Sequence, residues 1–205
     1  ESRNRLMKAY PDNVAELSFL AALDDSSPYP PWFAALGATA YWGIGKFRTR
    51  PPKLHSAEAI KKTEPVIDTD GVRGGIEYRD AYLRDNDARF VFGFVRSAIE
   101  AGAAVANYVE LVDAQRSDGH WQLGLADLES GERLELKART IVNAAGPYVD
   151  GLNSAWGVTT EHRIVYSKGI HLIVPRLTTT EHQRVLAFFD DSGRLFYVIP
   201  MGIRS

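Results

Sequence analysis

Thr140-Ile-Val-Asn143-Ala-Ala-Gly146-Pro147 is the stretch on which the fold turns. A short apolar run of this kind reads as a buried strand, here Thr140 to Ala145, and small residues at its end let backbone approach a neighbour closely. Pro147 pre-sets the first turn of a helix that Gly157 ends. Upstream, Trp121, Leu123 and Leu125 alternate with polar or small residues, as do Leu134, Leu136 and Ala138, with Ser130-Gly131 between the two runs. That pattern is a β-hairpin. Before it, Ala103 to Val112 reads as a strand. Arg89 to Ala101 reads as an amphipathic helix, with Val91, Phe94, Val95, Ala98 and Ile99 on one face and Gly102 at its stop.

The order helix, strand, hairpin, strand, helix is that of the second half of a nucleotide-binding α/β sheet. The flanks read as a separate α+β layer. Glu1 to Leu23 carries Leu6, Tyr10, Val14, Leu17 and Leu20 near a period of 3.6 and is expected to be helical, broken at Pro11. Asp24 to Pro31 is a loop, Trp32 to Ile44 an apolar helix, and Lys46 to Lys53 a basic, proline-rich turn. Ser56 is the expected cap of a short helix ending before Pro65, and a short strand to Tyr78 follows Gly74-Gly75. Strands at Ile170–Val174 and Leu195–Ile199 close the chain. No repeat, low-complexity tract or heptad pattern is visible.

Composition excludes several classes. The 205 residues are 45% apolar, enough for a core, and 24 basic against 26 acidic residues give a net charge of −2. That balance leaves no basic footprint for nucleic acid. With no cysteine, disulfides, thiolate catalysis, iron–sulfur ligation and cysteine-type zinc sites are excluded. No signal peptide is expected, because the first fifteen residues are charged where an apolar segment would sit. Pro28–Gly45 is uncharged but broken by prolines and glycines, and does not read as a spanning helix.

Two pieces can carry chemistry. Asn143-Ala-Ala-Gly-Pro147 is either a packing turn or a place where backbone meets a ligand. His171, in Lys168-Gly-Ile-His171, is either a hydrogen-bonded core histidine or a base facing a cavity. His55, His120, His162 and His182 lie beside turns or charges, without metal-ligand spacing, and no metal is expected. There is no Walker A run, no Gly-x-Ser-x-Gly elbow and no His-Glu-x-x-His. Asp87 is the expected cap of the Arg89 helix, with Arg89 returning a salt bridge.

Several segments together resemble the FAD-dependent glycerol-3-phosphate dehydrogenases, in the glycine oxidase and D-amino-acid oxidase superfamily. They are Trp32-Phe-Ala-Ala-Leu-Gly37 with Tyr41, Gly74-Gly-Ile-Glu-Tyr-Arg-Asp-Ala-Tyr82 followed by Asn86-Asp-Ala-Arg89, and Asn107-Tyr-Val-Glu110. Asn143-Ala-Ala-Gly-Pro-Tyr-Val-Asp150, Ser167-Lys-Gly-Ile-His-Leu-Ile-Val-Pro175 and Arg194-Leu-Phe-Tyr-Val-Ile-Pro200 complete the set. The resemblance implies part of an enzyme that oxidises sn-glycerol 3-phosphate to dihydroxyacetone phosphate and passes electrons through FAD to a quinone. It implies that His171 accepts or positions the hydroxyl proton, that Lys168 meets the substrate, that Val109 makes a backbone contact beside adenine, and that Ala145 and Gly146 approach the cofactor's diphosphate and ribityl region. The implied location is cytoplasmic, with the parent protein peripheral at the inner face of the membrane.

On this resemblance the fold class is α/β with an α+β flank: the second half of an FAD-binding Rossmann-like sheet with part of a substrate or cap domain. Residues 1–75 are the helical part of the cap region, 76–157 the partial FAD-binding region with its hairpin, and 158–205 cap strands. The chain departs from the family in lacking the Gly-x-Gly-x-x-Gly fingerprint, in Tyr148 where tryptophan is usual, and in Ile170 where serine or threonine is common. An isolated chain without the fingerprint is expected to bind FAD poorly, to be inactive and to self-associate through Val91, Phe94 and Ile99. The competing readings are a related FAD-dependent amine or 2-hydroxy-acid oxidase, and an interaction module without cofactor.

Overall fold

A computed structural model describes residues 2–178, 183–190 and 192–200. His182 and the tail from Met201 lie outside the described residues. In chain order the first elements are α1 (Ser2–Ala9), β1 (Val14–Leu23), α2 (Pro31–Ile44), β2 (Lys53–His55) and α3 (Ala57–Thr63). β3 (Gly74–Leu83), α4 (Asp87–Glu100), β4 (Val109–Ser117), β5 (His120–Asp127) and β6 (Arg133–Ala138) follow. A 3-10 turn at Gly146–Tyr148, α5 (Val149–Ala155), β7 (Arg184–Phe189) and β8 (Leu195–Val198) complete the order. Two compact units result: residues 1–96 with 173–205, and residues 97–172.

The first unit is a five-stranded mixed sheet in the order β2-β3-β1-β7-β8. β1 lies antiparallel to β3 over its whole length, Val14 opposite Leu83 and Leu23 opposite Gly74. On its other edge it runs parallel to β7, Ser18 opposite Arg184. One face of the sheet buries Leu20, Ala22 and Leu186 against Ile60 of α3 and Ile67. The opposite face buries Ala21, Leu23, Ile76 and Ala187 against Ala34, Ala35 and Ala38 of α2.

That double cover corrects the expected helix through Leu23: the helix stops at Ala9 and Val14–Leu23 is a strand. A strand buried on both faces shows no alternation, so its apolar residues fit a helical spacing equally well. β3 begins with paired glycines because β1 and α3 press on it there. A Cβ on Gly75 would sit 2.6 Å from the Ala21 carbonyl oxygen and 2.8 Å from Ile60 Cδ1. The expected cap of α3 is in place, Ser56 Oγ accepting from the Ala59 N–H at 3.2 Å.

At one end of the α3 face the sheet carries charge. Arg184 Nε lies 2.9 Å from the buried carboxylate of Glu64. Glu77 gathers four partners: the Ser18 hydroxyl, which donates to it, His55 Nε2 at 2.9 Å, Arg79 at 3.3 Å and Arg184 at 3.7 Å. Burial pushes the Glu77 carboxyl up, but Ser18, Arg184, His55 and Arg79 together outweigh it and hold the group below its ordinary value.

α4 is capped by Asn86, one residue before the expected Asp87: Asn86 Oδ1 accepts from the Arg89 N–H at 2.7 Å, and Arg89 pairs with Asp85 at 3.3 Å. The helix starts at Asp87, so the residue before it is the one placed to cap. Gly102, at φ +88°, ends it, and the Ala103 N–H closes back on the Ala98 carbonyl at 2.9 Å.

In the second unit β4, β5 and β6 form an antiparallel sheet. The expected hairpin is there, with the Asp127 carboxylate accepting from the Glu129 and Ser130 N–H groups at its turn. β4 begins at Val109 rather than Ala103, because its partner β5 ends opposite, at Asp127. Thr140–Ala145 and Ile170–Val174, both expected as strands, enter no ladder among the described residues and are irregular backbone; Val142 is 85% exposed and Ile173 96%. An apolar run becomes a strand only where another strand offers its backbone groups. β7 was not foreseen, and β8 falls where a strand was expected.

Two outcomes are expected from this packing. Gly75→Ala lowers stability by about 1–3 kcal/mol, read as a reduced thermal or urea midpoint, because the added methyl meets backbone on one side and Ile60 on the other. Glu77 contributes stability above the ordinary carboxylate value of 4.5 and loses it as acid protonates the folded, depressed group. Glu77→Gln therefore flattens the fall in urea midpoint between neutral pH and about pH 3.

Candidate functional site

The turn at Asn143–Pro147 is built by its first side chain. Asn143 Nδ2 donates to the Val149 carbonyl at 3.2 Å and to Asn153 Oδ1 at 2.9 Å, while Oδ1 accepts from the Ala145 N–H at 3.3 Å. The amide is thus spent on holding α5 to the turn. Gly146 has φ +54°, and a Cβ built on it meets nothing within 4 Å. The result is a bare edge of small residues with open space above it, which a bulky ligand can approach without displacing side chains.

The segment that follows α5 is tied back to this turn. Asp150 Oδ2 accepts from the Ile164 N–H at 2.9 Å, and the Tyr166 hydroxyl donates to the Pro147 carbonyl at 2.7 Å. Lys168 and His171 lie two and five residues beyond Tyr166, and both are exposed. The second unit therefore holds residues 164–166 at this turn, and the Lys168–His171 segment continues from them as exposed irregular backbone. Ala145 is half-buried and Gly146 exposed. Val109 is half-buried at the start of β4, and among the described residues no hydrogen bond joins it to the turn. Asp150 and Tyr166, which make the connection, were not singled out from the sequence. Asp150 sits in the quoted block, but a backbone partner 14 residues away leaves no local signal.

The first unit holds a separate apolar pocket of about 180 Å³, with Ala21, Leu23, Ile76, Tyr78, Ala187 and Tyr197 among its lining. Sequence reading missed it because its walls come from β1, α2 and β3 and from the distant β7 and β8. Burial, then Tyr197, Asp80 and Tyr41, pushes the Tyr78 hydroxyl up to about 12, so it remains a hydrogen-bond donor at neutral pH. Behind it the Tyr41 hydroxyl donates to Asp80 Oδ2 at 2.9 Å, and the Arg3 guanidinium lies 5.1 Å over the Tyr41 ring.

Residues 25–204 match the family described as FAD dependent oxidoreductase. The aerobic glycerol-3-phosphate dehydrogenase of Escherichia coli is 28% identical over 83% of this chain and 33% of its own length. The glycerol-3-phosphate dehydrogenase of Pseudomonas aeruginosa is 33% identical over 83% of this chain and 32% of its own. The D-erythritol 1-phosphate dehydrogenase of Brucella abortus is 29% identical over 97% of this chain and 38% of its own. The chain thus spans about a third of the length of the curated relatives it matches. The solved glycerol-3-phosphate dehydrogenase of Bacillus halodurans, complexed with FAD, superposes with a TM-score of 0.63 at 15% identity, over 97% of this chain and 34% of that one, and shows the shared fold. Small residues at an open turn, the mixed α/β architecture and the match along most of the sequence agree: the chain belongs to the FAD-dependent oxidoreductase family.

Proposed function

We propose that this chain is the middle portion of a flavoenzyme that oxidises sn-glycerol 3-phosphate to dihydroxyacetone phosphate and delivers the electrons to a quinone at the membrane. The observation that carries the reading is the open small-residue turn at Asn143–Pro147, where Asp150 and Tyr166 hold residues 164–166 just ahead of the Lys168–His171 segment. It supports a chain path in which the segment carrying the proton acceptor follows directly on residues held at the cofactor turn. The substrate assignment is supported by the relatives, which are named as dehydrogenases of glycerol 3-phosphate and of D-erythritol 1-phosphate.

The residues present suit part of an FAD site. Open space above Gly146 and the backbone of Ala145 fit the close approach of a diphosphate and its ribityl chain. Val109, at the head of β4, would meet the adenine side. When bound, the flavin supplies the hydride acceptor, which no side chain here replaces. The chain's own residues do the rest. His171 takes the proton of the secondary hydroxyl as the alcohol becomes a ketone, a role that an imidazole ring nitrogen can fill. Lys168, three residues away, offers a point positive charge to the phosphate.

In protein of the relatives' full length, glycerol 3-phosphate added without oxygen is expected to bleach the bound flavin's visible absorbance. His171→Ala slows that bleaching roughly a hundred- to ten-thousand-fold, and Lys168→Ala raises KM more than it lowers kcat. A yellow protein indifferent to glycerol 3-phosphate but reduced by an amine or a 2-hydroxy acid overturns the substrate assignment.

A further inference from the structure

Every polar atom of the Asn143 side chain is engaged. Its amide nitrogen donates to two acceptors on α5, the Val149 carbonyl at 3.2 Å and Asn153 Oδ1 at 2.9 Å, and its oxygen takes the Ala145 N–H at 3.3 Å. Val149 and Asn153 are four residues apart, so both acceptors lie on one strip of the helix. These bonds also settle how Asn153 is turned. The Val149 carbonyl and the Ala145 N–H fix the sense of the Asn143 amide, so Asn153 has to present its oxygen. Few side chains can do what Asn143 does, since a serine or threonine hydroxyl has one hydrogen to give and an ionised aspartate none.

α5 depends on such a hold. It has seven residues, none of them buried, and a helix that short does not persist by itself in water. Its first residue follows directly on the 3-10 turn Gly146–Tyr148, so any drift of the helix passes to the backbone of Gly146. Tyr166 reaches the same turn at the Pro147 carbonyl, whereas Asp150 holds Ile164 and leaves the turn free. Among the described residues, the Asn143–Asn153 bond is the one side-chain pair that joins turn to helix. Packing does not replace it. Gly146, at φ +54°, has no side chain, and a Cβ built on it meets nothing within 4 Å, so hydrogen bonds decide where its backbone lies.

We propose that Asn143 and Asn153 form a clasp that sets the position of the Ala145–Gly146 backbone, and that both are positioning residues for the flavin's diphosphate and ribityl chain without touching either. The proposal rests on the reading of that turn as a cofactor contact given above. The two residues have unequal parts. Asn143 holds the turn directly, through the Ala145 N–H, and Asn153 acts only through Asn143. Removing Asn153 leaves one amide hydrogen of Asn143 without its partner and lets that side chain rotate. Removing Asn143 releases turn and helix together.

The test compares Asn143→Ala, Asn153→Leu and the double variant, made in this chain and in protein of the relatives' full length. Leucine has the branched shape of asparagine without its polar atoms and is a better helix former. Asn153→Leu is therefore expected to leave the thermal midpoint of the full-length apoprotein unchanged. That apoprotein is titrated with FAD well below its midpoint, and binding is followed by quenching of flavin fluorescence. N153L is expected to bind about three- to ten-fold more weakly than the parent, and N143A about ten-fold or more. The double variant binds like N143A, because a residue that acts through another adds nothing once that one is gone. In this chain without added FAD, peptides spanning 143–153 exchange their amide hydrogens faster in each variant than in the parent. Exchange that matches the parent overturns the clasp. Losses of affinity that add in the double variant overturn it too, by making Asn153 a direct contact of the cofactor. Faster exchange with FAD affinity unchanged overturns the positioning role by removing the turn as a cofactor contact, while the clasp itself stands; the two failures are thus distinguishable.

Discussion

Strand β1 must be apolar on both faces and flanked on both edges, and the rest of the first unit follows from that requirement. α3 covers one face and α2 the other, so the two helices are fixed on opposite sides of one sheet. Leu20 is fully buried, as only a central strand allows. The price appears on the neighbouring strand, where Gly75 has no side chain because the Ala21 carbonyl and Ile60 occupy the place of one.

β3 sorts the chemistry of the sheet by its pleat. Ile76 and Tyr78 face the α2 side with its apolar pocket, whereas Glu77 and Arg79 face the α3 side and join Arg184, Glu64, His55 and Ser18. A carboxylate in that position is tolerable only because several donors meet it; removing one partner leaves charge uncompensated in a half-buried setting. The polar network ties β1, β2, β3 and β7 together at the end of the sheet where the hydrophobic clusters stop.

Much of this was legible in the sequence where the signal was local. Ser56 before a short helix, Gly102 after a long one, Ser130-Gly131 between two alternating runs and Pro147 at a helix start all behave as their residue types require. Misreadings came where identity depends on a distant partner. β1 mimics a helix because its cover is two-sided, β7 is short and not alternating, and Thr140–Ala145 has strand composition without a strand beside it. At the candidate site the small-residue turn and His171 were readable as types, but the hydrogen bonds that tie Ile164 and Tyr166 to the turn and its helix were not. Asp150 and Tyr166 act through backbone atoms of other segments, and nothing in their immediate neighbours announces it.

The parallel pairing of β1 with β7 has a consequence for how the protein is made. Ser18 waits for Arg184, and residues 97–172 are synthesised between them. β3 can close on one edge of β1 early, and the hairpins of β4 to β6 are local and quick to form. The other edge of β1 stays bare while the intervening unit leaves the ribosome, for on the order of ten seconds at ordinary rates of translation. During that interval the most apolar strand of the protein presents free backbone groups to any chain nearby, which makes the nascent protein, rather than the finished one, the state most dependent on chaperones.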